Sequence, residues 1–510
     1  MHRMIPAMRS VLLGAAGAAI FLTTTFAQVN DSVRGPASEA NHFIETPKGW
    51  VHPKTSWGEP DISANLNMMQ AAGVPLERCA SARGPCDPAK AWRTDAEYKQ
   101  AIDAAAGRGD RGRDLIAQGN FGAALLAGVT DPATPQRQLS LIVDPPNGQL
   151  PTLTPEGKKR ALAMRSGWSL PGESPSYDGP NDFDSWDRCT TRGMPSSMMP
   201  YRYNGGFRIW QAPGVVVFEL EMIHDARVVF TDGRPPLKSA HKQLMGESRG
   251  RWEGNTLVVE TTNYRGGHAP TINLAVVGSP AGNRFPQSDQ MKTTERITRV
   301  NNDMWLYEIK TEDPLILTGP FTVRYPMKND PTYEWWEYAC HEGNTIVPNY
   351  TNTSRHERTN PPVEPVVPAL ELTQGPPPPA SPIAGPSPAA GGSTGGPKPF
   401  IASADVVKAL AGRWVGRPQL KTIDYDIEIE FTPNPDGSVV GKLIRTTLPQ
   451  ERPINLGFRN FRLNNARAIS WTFPNTQEWT FAGTLSADGT AIAGNTNSAQ
   501  GGIPLTFRKR

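Results

Sequence analysis

Asp424-Tyr425-Asp426-Ile427-Glu428-Ile429-Glu430-Phe431 alternates acid and apolar residue without a break. A period of two sets Tyr425, Ile427, Ile429 and Phe431 on one face and the four acids on the other, the pattern of a strand with one side buried. Pro435-Asp436-Gly437 and Asp488-Gly489 downstream are turn sequences. A short helix over 404–411 leads into Gly412-Arg413-Trp414. This punctuation predicts a small antiparallel barrel over residues 404–510.

Moving towards the N-terminus, residues 361–403 form a Pro/Gly-rich linker, with 13 prolines between Pro361 and Pro399 and no aromatic residue. Such a segment buries no core, and at ~3.1 Å per residue it reaches at most about 120 Å. It is expected to separate two independent units.

Upstream of it, residues 28–360 read as a β-rich main domain. Short runs rich in β-branched and aromatic residues lie at 208–211, 215–224, 227–231, 256–262, 292–300, 304–311 and 333–340. Pro213-Gly214, Asp232-Gly233, Gly254-Asn255 and Asn301-Asn302-Asp303 divide them. No crossover-length helix is read between them, so the strands are expected to be antiparallel and to form a barrel or strongly curved sheet. The N-terminal part is mixed: Thr94 is placed to cap a helix over 94–106, and Thr154-Pro155-Glu156 opens a second, with proline in its first turn. The fold class is therefore mainly β, with an irregular and partly helical N-terminal wrap.

The chain has 510 residues, of which 48 are Gly and 50 Pro, with a formal net charge of +3. That balance excludes a helical bundle, a wholly disordered chain and a strongly basic nucleic-acid binder. Residues 1–27 read as a signal peptide: Arg3 and Arg9 precede the apolar run Val11 to Leu22, and Thr25-Phe26-Ala27 offers small residues before a cut at Gln28. The protein is expected to be periplasmic or secreted, with no transmembrane segment after cleavage. In an oxidising compartment the four cysteines favour disulfides. Cys79 with Cys86 and Cys189 with Cys340 is the simplest of the three possible connectivities. Only Cys340-His341 brings Cys and His together in sequence, and no metal or cofactor is expected.

Several motifs carry a resemblance. Trp57-Gly58-Glu59-Pro60-Asp61, Ile142-Val143-Asp144-Pro145-Pro146, Leu153-Thr154-Pro155-Glu156-Gly157, Gly250-Arg251-Trp252-Glu253-Gly254-Asn255 through Thr262, and Glu337-Tyr338-Ala339-Cys340-His341-Glu342-Gly343-Asn344 resemble those of a large, functionally uncharacterised family of secreted bacterial proteins. The resemblance covers roughly residues 50–350. It implies export and a β-rich fold and assigns no catalytic role. Asn255 stands where relatives commonly carry Asp. The C-terminal module, with Gly412-x-Trp414 near its first strand, is similar to lipocalin-like barrels attached to other secreted bacterial proteins.

Three constellations can carry chemistry. In the first, a strand through 215–224 would align Val216, Phe218, Leu220 and Met222 with His224, leaving Glu219, Glu221 and Asp225 on the other face. An imidazole at the end of that stripe is a candidate general base, and a core histidine bonded to a backbone carbonyl is the structural alternative. In the second, Arg249 and Arg251 beside Trp252 are placed to clamp a carboxylate or sulfate; the structural alternative is that Arg251 pairs with Glu253 across a hairpin. The third runs over 334–342. A Cys189–Cys340 bridge would bring His341, Glu337 and Trp335 to Trp186 and Asp187, a meeting of imidazole, carboxylates and tryptophan suited to a concave site. The structural alternative there is a disulfide-stabilised sheet edge with solvated acids. His224, His341, Glu337 and Asp187 are thus the catalytic candidates, and Arg249, Arg251, Trp186 and Trp335 the substrate-binding ones. No P-loop and no H-E-x-x-H is present.

The functional expectation is an exported protein acting on a small organic or sugar-derived compound, as a hydrolase or lyase using histidine and carboxylate acid–base chemistry. The alternatives are a non-enzymatic binding protein for an apolar or aromatic ligand in a lipocalin-like barrel, and a structural two-module envelope protein. The expected partner is a small molecule rather than nucleic acid.

Overall fold

The computed structural model describes residues 46–71, 73–79, 86–118, 136–165, 169–173, 176–200, 204–266, 284–360, 402–420, 423–448, 454–474, 479–498 and 501–510. The signal peptide 1–27 and nearly all of the linker 361–403 lie outside these residues.

Ten strands make the first sheet: β1 (Ala64–Asn67), β2 (Ile142–Asp144), β3 (Gly206–Ala212), β4 (Val215–Leu220), β5 (Ala226–Phe230), β6 (Glu247–Glu253), β7 (Thr256–Thr262), β8 (Lys292–Arg299), β9 (Met304–Glu312) and β10 (Phe321–Asn329). β3 to β10 follow one another in a meander, and β1 pairs with both β3 and β10, so nine strands close a barrel with β2 added beside β10. Directions must alternate around a ring of antiparallel neighbours, so an odd strand count forces a parallel contact. It falls between β5 and β6, where Val229 faces Ser248. A parallel pair needs a long return path, and the chain from Thr231 to Gly246 supplies it. The exclusively antiparallel order expected from the sequence is corrected at this one pair.

Two other expectations are corrected. β4 stops at Leu220 rather than running to His224, and residues 333–340 are not a strand. In exchange, Phe321–Asn329 is a full strand despite Pro326. β9 covers one side of β10 continuously, while on the other side β2 meets Thr322 and Val323 and β1 meets Lys328 and Asn329. Pro326, which has no N–H to give, falls in the gap between those two.

Both N-terminal helices form. In Asp95–Ala117, the Thr94 hydroxyl accepts from Glu97 N–H while the Glu97 carboxylate accepts from Thr94 N–H, a reciprocal cap. In Pro155–Ala163 the Thr154 hydroxyl accepts from Gly157 N–H. A further helix, Ile346–Thr359, packs Tyr350 against Tyr177 and Phe183.

The second sheet holds β11 (Gly412–Pro418), β12 (Ile427–Pro433), β13 (Val439–Thr446), β14 (Leu456–Gly457), β15 (Arg459–Leu463), β16 (Ala468–Thr472), β17 (Thr480–Leu485), β18 (Ala491–Ser498) and β19 (Gly501–Lys509). β11 pairs with β19. β14 and β15 are consecutive pieces of one run that leans on β13 at one end and β16 at the other, which nearly closes the ring. Tyr425, Ile427, Ile429 and Phe431 are all buried, as the alternation requires. The interior is occupied by aromatic rings, with Trp471 stacked between Phe481 at 4.2 Å and Phe458 at 4.9 Å.

One continuous apolar cluster runs from the first barrel into the second. Tyr425 donates its hydroxyl to Pro171 O at 2.7 Å, and Trp479 its indole N–H to Ser169 O at 3.0 Å. The expectation of two independent units is therefore corrected: residues 169–173 lie against the second barrel.

Candidate functional site

The disulfides are Cys79–Cys86 and Cys189–Cys340. The second ties the segment after β10 to the segment before β3. Asn344 reinforces it by donating to Asp187 O at 2.9 Å. Glu221, fully buried just past the end of β4, completes the tether. Its Oε1 accepts from Asn204 Nδ2 and Trp336 N–H, and its Oε2 from Gly206 N–H and the Tyr333 hydroxyl. Residue 206 has to be glycine for this approach, because a Cβ there would lie 2.7 Å from Glu221 Oε2 and 2.9 Å from the rings of Tyr333 and Trp335. A carboxylate with four donors, rather than a ladder, thus docks residues 333–336, which is why that run is not a strand.

The tether brings residues 333–340 to the turn beyond β4 and to the segment around Cys189, but not into the expected arrangement. His224 is exposed, in a tight turn beyond β4, with its ring 6.4 Å from that of Tyr338. It does not end an apolar stripe and does not sit as a core histidine. His341 and Glu337 are exposed, and His341 lies in a turn after Cys340. Asp187 is buried. Trp186 stacks under Arg192, with the guanidinium 3.8 Å from the ring centre, and Trp335 under Arg208 at 4.1 Å. The shared strand face proposed for Trp335, Glu337 and His341 is absent, since no strand runs there.

Arg249 and Arg251 are engaged within the fold. Arg249 pairs with Glu247 and donates to Pro235 O; Arg251 reaches Glu253 and Glu260, each at 2.9 Å. Arg251 thus makes the pair with Glu253 that its structural alternative describes, while Arg249 pairs with Glu247.

The residue that sequence reading undervalued is Asp225. It lies between His224 and β5, and its Oδ2 accepts from the Thr191 hydroxyl at 2.6 Å and from the Ser197 hydroxyl at 3.4 Å. Oδ1 has no hydrogen-bond partner among the described residues. Burial pushes its pKa up to about 6, against the pull of both hydroxyls, Arg227 and His224. The turn that presents it is unusual: Ile223 and His224 have φ of 61° and 54°. Two successive non-glycine residues in the left-handed region, one of them β-branched, cost on the order of 1–3 kcal/mol each and persist only where surroundings impose them. The available signal was the His224-Asp225 pair at a strand end.

A second buried polar group lies inside the barrel. Arg227 from β5 forms a two-pronged pair with Glu295 of β8, Nη1 to Oε1 at 2.8 Å and Nη2 to Oε2 at 2.5 Å, with side-chain exposures of 2% and 0%. Tyr307 OH donates to the same carboxylate, and the hydroxyls of Ser248 and Thr261 contact Nη2. Burial opposes the Arg227 charge, but Glu295 outweighs it and holds the pKa above its ordinary value. Gly246-Glu247-Ser248-Arg249-Gly250 has the G-x-S-x-G spacing of a nucleophile elbow. Ser248, however, lies within β6, bonded to Arg227 and Thr261, instead of on a sharp strand-to-helix turn. Among the described residues no group of His, Cys, Asp and Glu is arranged to hold a metal ion.

No family model matches the chain, and no curated protein matches it. Among solved structures, it has a likeness to a protein of unknown function from the DUF3598 family of Nostoc punctiforme PCC 73102, at 10% identity over 60% of this chain and 87% of that one, TM-score 0.12. A double mutant of the vaccine antigen Transferrin Binding Protein B from Haemophilus parasuis Hp5 shows 8% identity over 59% and 64%, also at TM-score 0.12. Overlap this small assigns the chain neither a fold family nor an activity.

Proposed function

We propose that this is an exported protein whose β4–β5 rim is an acid–base site for a small organic or sugar-derived compound, of the hydrolase or lyase class. The observation that carries the reading is Asp225: one carboxylate oxygen anchored by Thr191, the other without a hydrogen-bond partner among the described residues, and an exposed imidazole on the preceding residue. A carboxyl that titrates near neutrality is present in both forms at working pH, so Oδ1 can give a proton to a leaving group or take one from a substrate carbon or water. His224 supplies the complementary group, and the aromatic ring of Tyr338 lies beside it. Two disulfides suit an oxidising compartment.

Storage of an apolar ligand in a barrel is less well supported, because stacked aromatic rings occupy the second interior and an ion-pair network crosses the first. Those same filled interiors favour a structural envelope protein as the second reading. An untargeted metabolite screen with purified mature protein separates the two: turnover abolished in Asp225→Asn and His224→Ala supports the acid–base site. Turnover that survives both substitutions, or none with any compound class, moves the assignment to the structural reading.

A further inference from the structure

The strand directions of the second barrel give it two distinct ends. Pro418, Ile427, Thr446, Thr472, Thr480 and Gly501 terminate strands at one end; Gly412, Pro433, Leu463, Leu485 and Lys509 do so at the other. The latter is capped by the helix Ala404–Leu410, where Lys509 Nζ donates to Ala409 O and Ser403 N–H to Asn465 Oδ1. At the former sits a segment from far upstream, Ser169-Leu170-Pro171-Gly172-Glu173.

That segment is held as a ligand is held. Leu170 has no exposed surface. On either side of it the main-chain oxygens of Ser169 and Pro171 accept from Trp479 and Tyr425, residues that come just before β17 and β12 at this end of the barrel. Gly172 has φ +77°, and a Cβ on it would lie 3.3 Å from Ile427 Cδ1 and 3.4 Å from Thr446 Cγ2. Glu173 folds back to accept from Leu170 N–H and pairs with Arg284 of the main domain, both groups buried. Buried aromatic donors to two main-chain carbonyls, a fully buried leucine between those carbonyls in the chain and a glycine held at a positive φ that side chains rarely adopt are features of peptide recognition.

We propose that this end of the C-terminal barrel is a binding site for a Leu-Pro-Gly turn, with residues 169–173 as its ligand in cis. The C-terminal module then acts as a clasp that fixes the main domain, and the Glu173–Arg284 pair sets the turn in the conformation the barrel accepts. Nothing in this assignment depends on the chemistry at Asp225.

The test uses the full chain with a site-specific protease sequence inserted between residues 380 and 395. After cleavage, the C-terminal fragment is expected to co-elute with the main domain in gel filtration, and a synthetic peptide spanning residues 165–176 to displace it. Leu170→Asp should release the fragment. Tyr425→Phe keeps the ring and removes its hydrogen bond to Pro171 O, so it should weaken association about fivefold without unfolding either barrel. Fragments that separate in the unsubstituted protein, or that stay together equally well in all variants, overturn the proposal.

Discussion

Thr191 and Asp225, 34 residues apart, meet through a 2.6 Å hydrogen bond from hydroxyl to carboxylate at the rim of the first barrel. The bond fixes one oxygen of a carboxyl whose surroundings otherwise disfavour its charge. Since the folded pKa is raised above the ordinary value, the native state binds this proton more tightly than the unfolded chain does. The contribution to stability is complete below about pH 4 and is lost as pH rises through about 6.

Melting temperatures between pH 4 and 8 check this directly. The unsubstituted protein should lose stability relative to Asp225→Asn as pH rises from 4 to 6, and the difference should be constant above pH 7. Parallel curves across the whole range would show that Asp225 titrates normally.

Arg227 and Glu295 face each other inside the barrel with almost no exposure. Removing one partner leaves an uncompensated buried charge, a loss of about 3–5 kcal/mol. Arg227→Leu alone should therefore destabilise strongly, and adding Glu295→Leu should recover much of the loss. Urea unfolding of the two single variants and the double variant reads the coupling; additive losses would contradict it.

The Cys189–Cys340 bridge closes a loop of 151 residues, worth on the order of 5 kcal/mol by the chain-entropy estimate. A Cys189→Ser/Cys340→Ser variant should melt lower and be cut by protease between residues 333 and 345 before the barrel opens. Equal protease resistance would mean that Glu221 and its four donors hold the segment alone.

The strands were legible wherever one face is buried and the other wet. The alternation from Asp424 to Phe431 and the run Thr256–Thr262 map directly onto β12 and β7. Glu428 is the exception on its outer face, buried beneath Arg445 and Arg510. Pro326 hid β10, because an isolated sequence does not reveal where a neighbouring strand is missing. The helix Ile346–Thr359 was hidden by Pro348 and its asparagines and threonines, poor helix formers that tertiary contacts with Tyr177 and Phe183 override. At the site, His224 was legible as a titratable residue at a strand end. Asp225 was not, since its character comes from Thr191 and Ser197, and contacts over such separations leave no periodic trace. The same holds for Arg227 with Glu295 and for Leu170 in the second barrel.

The proposed acid–base site depends on the proton affinity of one side chain. A carbon-detected NMR titration of the Asp225 carboxyl in the full-length protein should give a midpoint near 6, moving when Thr191 is changed to Val. A midpoint near 4, the ordinary value for aspartate, would mean that the rim holds no group poised to exchange protons and would contradict the proposed site.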